Sequence, residues 1–165
     1  MNFLKISVSA YLALIFTALA FLTGCETTAV FSPVAQAKRD AMLAAIPQEP
    51  LGNYYIGRRF FKREYKIWGW IRKPRQSWNQ AQLVMLNEQQ KLAPDRAQNR
   101  IGSDNDYEYK LSGFFSGDRV YEPSSNRIYP EFVLTGYELL STNPARIFAD
   151  PRSTDPKIRL LAPPM

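Results

Sequence analysis

Hydrophobic residues run unbroken near the start of this chain and then give way to short, interrupted runs. Ile6 to Cys25 is twenty residues without a charge, and its centre, Ala10 to Phe21, contains one threonine. The pattern then turns helical: Ser32 offers an N-cap, Pro33 suits the first helical position, and Val34 to Ala45 are strong helix formers. Val34, Ala37, Ala41, Met42 and Ala45 make a weak apolar stripe. A short helix is predicted, lying on the domain or spacing it from a membrane, and ended by Pro47 and Pro50.

From Leu51 to Leu140 the aromatic and β-branched runs are short, broken by turn residues and without a helical period, which predicts an all-β domain. Strand regions are expected over Tyr54–Arg72, Ala81–Glu88, Tyr107–Ser116, with Arg119–Glu122 extending or bending it, and Arg127–Leu140. Pro123-Ser124-Ser125-Asn126 reads as a turn, with Asn126 suited to the left-handed conformation. Between the second and third regions, Gln89–Asp106 is polar, and holds either a turn of helix around Asp95–Asn99 or a loop. Four or five strands with one long polar crossing are the content of a small Greek-key barrel of the OB type. Gly69, Gly113 and Gly136 fall inside strand patterns, where bulges and sharp coils close small barrels. Ser141–Met165 carries five prolines and is expected to be extended. Its apolar stretches, Ile147-Phe148 and Ile158-Arg159-Leu160-Leu161, could dock on the barrel or on another protein, with a loosely ordered terminus as the default.

The opening run has the layout of a secretory signal peptide: a positive start at Lys5, an apolar centre and small residues before Cys25. An uncleaved membrane helix is the alternative for the same twenty residues. Leu22-Thr23-Gly24-Cys25 resembles the lipobox of bacterial lipoproteins. The resemblance implies cleavage after Gly24, a diacylglyceryl group on the Cys25 sulfur and acylation of the new amino group. Several acyl chains would make a lasting tether, since each buried methylene contributes about 0.8 kcal/mol. Glu26 stands where an aspartate favours inner-membrane retention in the enterobacterial pattern, which leans toward the outer membrane, periplasm-facing. Gly52-Asn53-Tyr54-Tyr55-Ile56-Gly57, Gly69-Trp70-Ile71 and Gly113-Phe114-Phe115 are similar in layout to the Slp-type (starvation-inducible) outer-membrane lipoproteins. That resemblance implies an OB-like barrel and brings no catalytic residues.

The predicted organisation is therefore a signal peptide over 1–24, a lipidated linker and short helix over 25–50, an OB-like barrel over 51–140 and a proline-rich tail over 141–165. The 141 residues after the cleavage point suffice for one domain. They carry 20 basic and 15 acidic residues, a formal charge of +5, and a single cysteine, so no intrachain disulfide can form. The chain has no histidine, which excludes Ser-His-Asp and Cys-His machinery, His-based zinc sites and a histidine switch.

Charge changes the picture most at Arg58–Arg75. Eight cations face one acid, Glu64, giving +7, while the rest of the mature chain carries −2. Alternation along Tyr65–Ile71 puts Tyr65, Ile67, Gly69 and Ile71 on a core face and Lys66, Trp68, Trp70 and Arg72 on the other, with Trp78 close by. Lys66, Trp68, Trp70, Arg72 and Trp78 are thus the candidate ligand-binding residues. Three uses of that face stay open. Rings and cations could bind an anionic or glycan ligand, with envelope glycan or lipopolysaccharide phosphate favoured over nucleic acid. The face could lie on anionic lipid. Or the tryptophans could pack under the helix or the tail, leaving the charges solvated.

Other candidates are weaker. Asp104-Asn105-Asp106-Tyr107-Glu108 supplies hard oxygens but lacks the EF-hand spacing, and a solvated loop is the plainer expectation. Asp118 and Glu122 flank Arg119 as a conceivable hydrolase pair of unknown separation. Ser112, Ser116 and Ser124 have no nucleophile motif around them, and no cofactor or metal is implied. The function expected is a non-catalytic binding or envelope-assembly module anchored to the membrane through Cys25. The alternative is an accessory or scaffold subunit of a membrane protein complex.

Overall fold

A computed structural model describes residues 32–65 and 68–165. The signal peptide, Cys25 and Lys66 lie outside the described residues. Helix α1 is Pro33–Ala45, started as its local chemistry dictates: Ser32 Oγ accepts from the Ala35 amide and proline occupies the first turn. A 3₁₀ turn, Ile46–Gln48, leads from it.

Five strands follow: β1 Tyr55–Arg59, β2 Trp68–Arg72, β3 Gln82–Asn87, β4 Glu108–Glu122 and β5 Arg127–Ser141. They close in the order β1-β2-β3-β5-β4, with β4 pairing back onto β1. All neighbours are antiparallel except β3 and β5. The protein is mainly β, a small OB-like Greek-key barrel with a short N-terminal helix, and a one-turn helix α2, Pro94–Ala97, in the β3–β4 crossing.

The stretch predicted as one strand region over Tyr54–Arg72 divides in two. Gly69 is the last β2 partner of Arg59, and Phe60–Tyr65 leaves the sheet to meet the C-terminal segment, where the Arg63 amide donates to the Pro156 carbonyl (3.2 Å). Arg119–Glu122 continues β4 past an irregularity after Phe115, and Asn126 takes a positive φ of 52° at the tip of the β4–β5 ribbon.

Alternation along the strands sorts side chains into two apolar clusters. Inside the barrel lie Ile71, Val84, Leu86, Tyr109, Leu111, Phe132 and Leu134, with Ala93 from the β3–β4 crossing. Outside β1, β2 and β3 lies a second cluster, Ile56, Phe60, Tyr65, Trp68 and Trp78, covered by Ile46 and by Ile147 and Phe148 from the C-terminal segment. Each fully buried large apolar side chain contributes about 1.5–3 kcal/mol. The segment after β5 is thus part of the packed structure. The backbone amide of Met165 donates to the Ile147 carbonyl (2.8 Å), and a 3₁₀ turn spans Pro151–Thr154. No described helix is long and apolar enough to cross a membrane.

Candidate functional site

The β2–β3 surface is where OB barrels receive oligonucleotides and oligosaccharides. The register places Trp68 beside Met85 and Trp70 beside Leu83, with Arg72 following on the same face of β2. That face is covered by the chain itself. Trp68 and Trp78 are buried in the outer cluster and Trp70 packs against it half-buried. Their three indole N–H groups are buried and have no partner among the described residues. Trp78 receives two cations, with the guanidinium carbons of Arg58 and Arg72 each 4.8 Å from its ring centroid.

The cations expected as solvated surface are also inside. Arg58, Arg59, Lys62 and Arg72 are all buried. Arg72 donates to both oxygens of Glu49 (2.7 and 2.5 Å), and that carboxylate also accepts from the Arg75 amide (2.8 Å). Arg58 donates twice to Glu108 Oε2 (2.9 and 2.6 Å) and to the Ala145 carbonyl (2.6 Å), with Asp106 at 3.4 Å. Arg59 points into the end of the barrel beneath α2, bonded to Asp95, to Asp104 (2.9 Å) and to Glu88 (3.4 Å). Arg96 pairs with the other Glu88 oxygen at 2.7 Å.

These contacts settle what the acidic loop does. Asp104, Asp106 and Glu108 are the counter-charges of Arg58 and Arg59, in place of the solvated loop expected from sequence. Asn105 joins them, accepting from the Phe61 amide and donating to the Thr154 carbonyl. No group of three or more His, Cys, Asp or Glu among the described residues is arranged to hold a metal ion. Burial holds the Glu88, Asp104 and Asp106 carboxyls above their ordinary values, with the facing arginines opposing it. Desolvation, aided by the Asp104 charge, also pushes the Tyr109 phenol up. Arg59 is raised despite its burial, because the carboxylate charges outweigh desolvation. Glu122, of the conceivable hydrolase pair, accepts from the Ser124 and Ser125 amides (2.9 and 2.6 Å) and so holds the ribbon turn.

Open concave surface lies elsewhere. A groove of about 450 Å³ between β3, β5 and the ribbon is lined by Met85, Asn87, Leu92, Arg96, Val120 and Glu131 among others. Two smaller crevices meet at Tyr65 and Arg159. One, about 130 Å³, runs between Lys62–Tyr65 and Pro156–Arg159. The other, about 230 Å³, adds Ser125, Arg127, Tyr129, Leu160 and Leu161. Together they are lined by five cations (Lys62, Arg63, Arg127, Lys157, Arg159) and one carboxylate, Glu64, which pairs with Arg159.

Of the residues singled out by sequence, Trp68, Trp70, Arg72 and Trp78 are brought together, but as an internal layer. Sequence reasoning gave no binding role to Arg127, Tyr129, Lys157 and Arg159, because the first two fall in the predicted last strand and the other two in the proline-rich tail. They meet only because the ribbon tip and the C-terminal segment both fold onto the β1–β2 connection, where Ser124 Oγ donates to the Glu64 carbonyl (3.2 Å) and Tyr65 donates to the Arg159 carbonyl (3.2 Å). Comparison with protein-family models, with curated proteins and with solved structures returns no match to this chain.

Proposed function

We propose that this protein is a lipid-anchored, non-catalytic module of the bacterial cell envelope that binds an anionic or glycan ligand. The lipobox-like Leu22-Thr23-Gly24-Cys25 motivates the anchor, with the outer membrane, periplasmic side, as its place. One observation carries the binding role: the joined crevices at Tyr65 and Arg159 put two tyrosines and two leucines beside five cations and a single acid. Cations engage anionic groups, and rings and leucines take the apolar faces of sugars.

Two measurements test it. The intact mass of the native polypeptide is expected to show loss of 24 residues and acyl addition at Cys25, whereas a retained Met1 or a bare thiol refutes the anchor. Purified acidic envelope polysaccharide is expected to bind in a salt-dependent way, and more weakly after Arg127→Gln or Tyr129→Ala. Unchanged affinity in both folded variants refutes the binding role.

A second reading, the accessory subunit of a membrane protein complex, is favoured by the ribbon's exposed Phe114, Tyr121 and Ile128. A photocrosslinker at Ile128 in intact envelopes is then expected to give one discrete membrane-protein adduct, lost when Tyr121 is changed to Lys.

A further inference from the structure

We propose that the crevice between Lys62–Tyr65 and Pro156–Arg159 is a binding site for a phosphoryl group, with the charge of the buried Lys62 behind its wall and Arg63 and Lys157 at its rim. The proposal deepens the envelope-binding reading and rests on it only for where the ligand is met, not for the site itself. The phosphate monoester is the recognised chemistry, whether carried on a sugar or on a lipid headgroup.

The argument starts from an imbalance among buried cations. Arg58, Arg59 and Arg72 each face at least one carboxylate at ion-pair distance. Lys62 is as buried as they are, 1 % exposed, yet it forms no ion pair with a carboxylate among the described residues. Its ammonium donates to two backbone carbonyls, those of Arg152 (3.0 Å) and Asp155 (2.7 Å). An ammonium has three donors, so one is left over among the described residues. Carbonyl dipoles supply only partial compensation, and a buried charge without a full counter-charge is unfavourable. Desolvation accordingly holds Lys62 below its ordinary value, against the opposing charges of Asp155 and Asp150. Both carboxylates are otherwise engaged: Asp150 with Arg152, and Asp155 with the Lys157 amide.

The crevice that Lys62 lines supplies the rest. Its volume of about 130 Å³ is room for one tetrahedral oxyanion. Glu64 and Arg159 cancel one another across it. Lys62, Arg63 and Lys157 remain, and none of the three is in an ion pair among the described residues. A phosphate monoester carries about −1.5 to −2 near neutrality, which offsets more of the three positive charges than a monoanion does, and it offers three acceptor oxygens to donors arriving from two chain segments. A carboxylate offers half the charge and a planar pair of oxygens. Lysine, as a compact point charge, suits the tetrahedral group.

The test uses the full-length protein purified from membranes in mild detergent at low ionic strength. Calorimetry with inorganic phosphate and with a hexose phosphate is expected to show saturable 1:1 binding, each competing with the other. The unphosphorylated hexose is expected to give none. Vesicles containing phosphatidic acid, set against phosphatidylcholine alone, distinguish a lipid source from a sugar source, since the true carrier outcompetes inorganic phosphate. Arg63→Gln and Lys157→Gln alter exposed side chains, so folding is not at stake, and each is expected to weaken phosphate about three- to tenfold. Lys62→Met is expected to abolish binding. Should it fail to fold, the two rim variants decide the matter. Absence of saturable phosphate binding, or unchanged affinity in both rim variants, overturns the site. An envelope polysaccharide that binds while phosphate does not removes the phosphoryl site and leaves the broader reading standing. Phosphate binding lost in the rim variants, without retention of any envelope ligand, does the reverse.

Discussion

The cost of placing cations inside a small barrel falls on individual carboxylates, and their number at each cation sets what a substitution does. Among the described residues Arg72 has one carboxylate, Glu49, in a two-pronged pair, while Arg59 and Arg96 together face three. Glu49→Gln leaves a buried guanidinium without counter-charge and is expected to cost about 3 kcal/mol in urea unfolding. Asp104→Asn removes the surplus member of its group and should cost clearly less. Equal losses would show that the count of charges is not what matters. The same groups predict a pH dependence. The Glu88, Asp104 and Asp106 carboxyls, raised chiefly by burial, bind protons more readily folded than unfolded. Stability attributable to them therefore rises as pH falls from the raised native values toward the ordinary carboxylate value near 4, and is lost as pH rises again. Glu122 acts oppositely. Hydrogen bonds from Ser125 and Ser124 hold it low against desolvation, so its contribution is present above the ordinary value and lost as pH falls through the lowered one. Unfolding midpoints measured across that range should rise less on acidification in Asp104→Asn than in the unchanged protein. Parallel curves would sink the assignment.

Elements were legible in the sequence where their causes are local. Ser32-Pro33 starts α1 because an N-cap hydroxyl and a fixed φ act within one turn, and Asn126 marks the ribbon tip because few side chains accept a positive φ. Period-two alternation put Trp68, Trp70 and Arg72 on one face of β2, as the register has it. Which glycine bends the sheet was less legible, since that depends on what lies opposite. At Gly113 the β4–β5 register shifts, and a Cβ there would meet the Val133 carbonyl oxygen at 2.3 Å and the Phe132 ring at 2.6 Å. At Gly136 it would meet only Ser112, at 3.5 Å. Gly113→Ala is expected to cost about 2–4 kcal/mol, because backbone must move, and Gly136→Ala under about 1 kcal/mol. Thermal melts of the two variants compare them directly, and a tolerated Gly113→Ala would show that this part of the ribbon has room to shift.

At the scale of the molecule, the sequence hid the use of its most conspicuous stretch because the partners of Arg58–Arg75 come from far along the chain. Glu49 precedes Arg72 by 23 residues, Asp95 follows Arg59 by 36, and Glu108 follows Arg58 by 50. Alternation separates the two faces of a strand but does not tell which is covered when the cover is a segment more than 70 residues away. That cover, Ile147 and Phe148, makes the face a second core, which is the third of the uses left open for its tryptophans, although the arginines around them are buried and not solvated. The C-terminal segment is therefore structural, and its removal is a decisive test. Phe148 lies against Phe60 with ring centroids 4.8 Å apart, and Phe60 stacks on Trp68 at 5.8 Å. Phe148→Ala is expected to cost about 3–5 kcal/mol, with an unchanged urea slope and a red-shifted indole emission as water reaches Trp68. Termination after Ser141 removes Ile147 and Phe148 together, and the summed loss approaches the whole stability of an ordinary domain. That truncated chain is expected to lose its cooperative unfolding transition. A truncated protein that melts like the parent, with its tryptophans still shielded, would mean that the segment only rests on the barrel and that the β2–β3 face is free for a ligand after all.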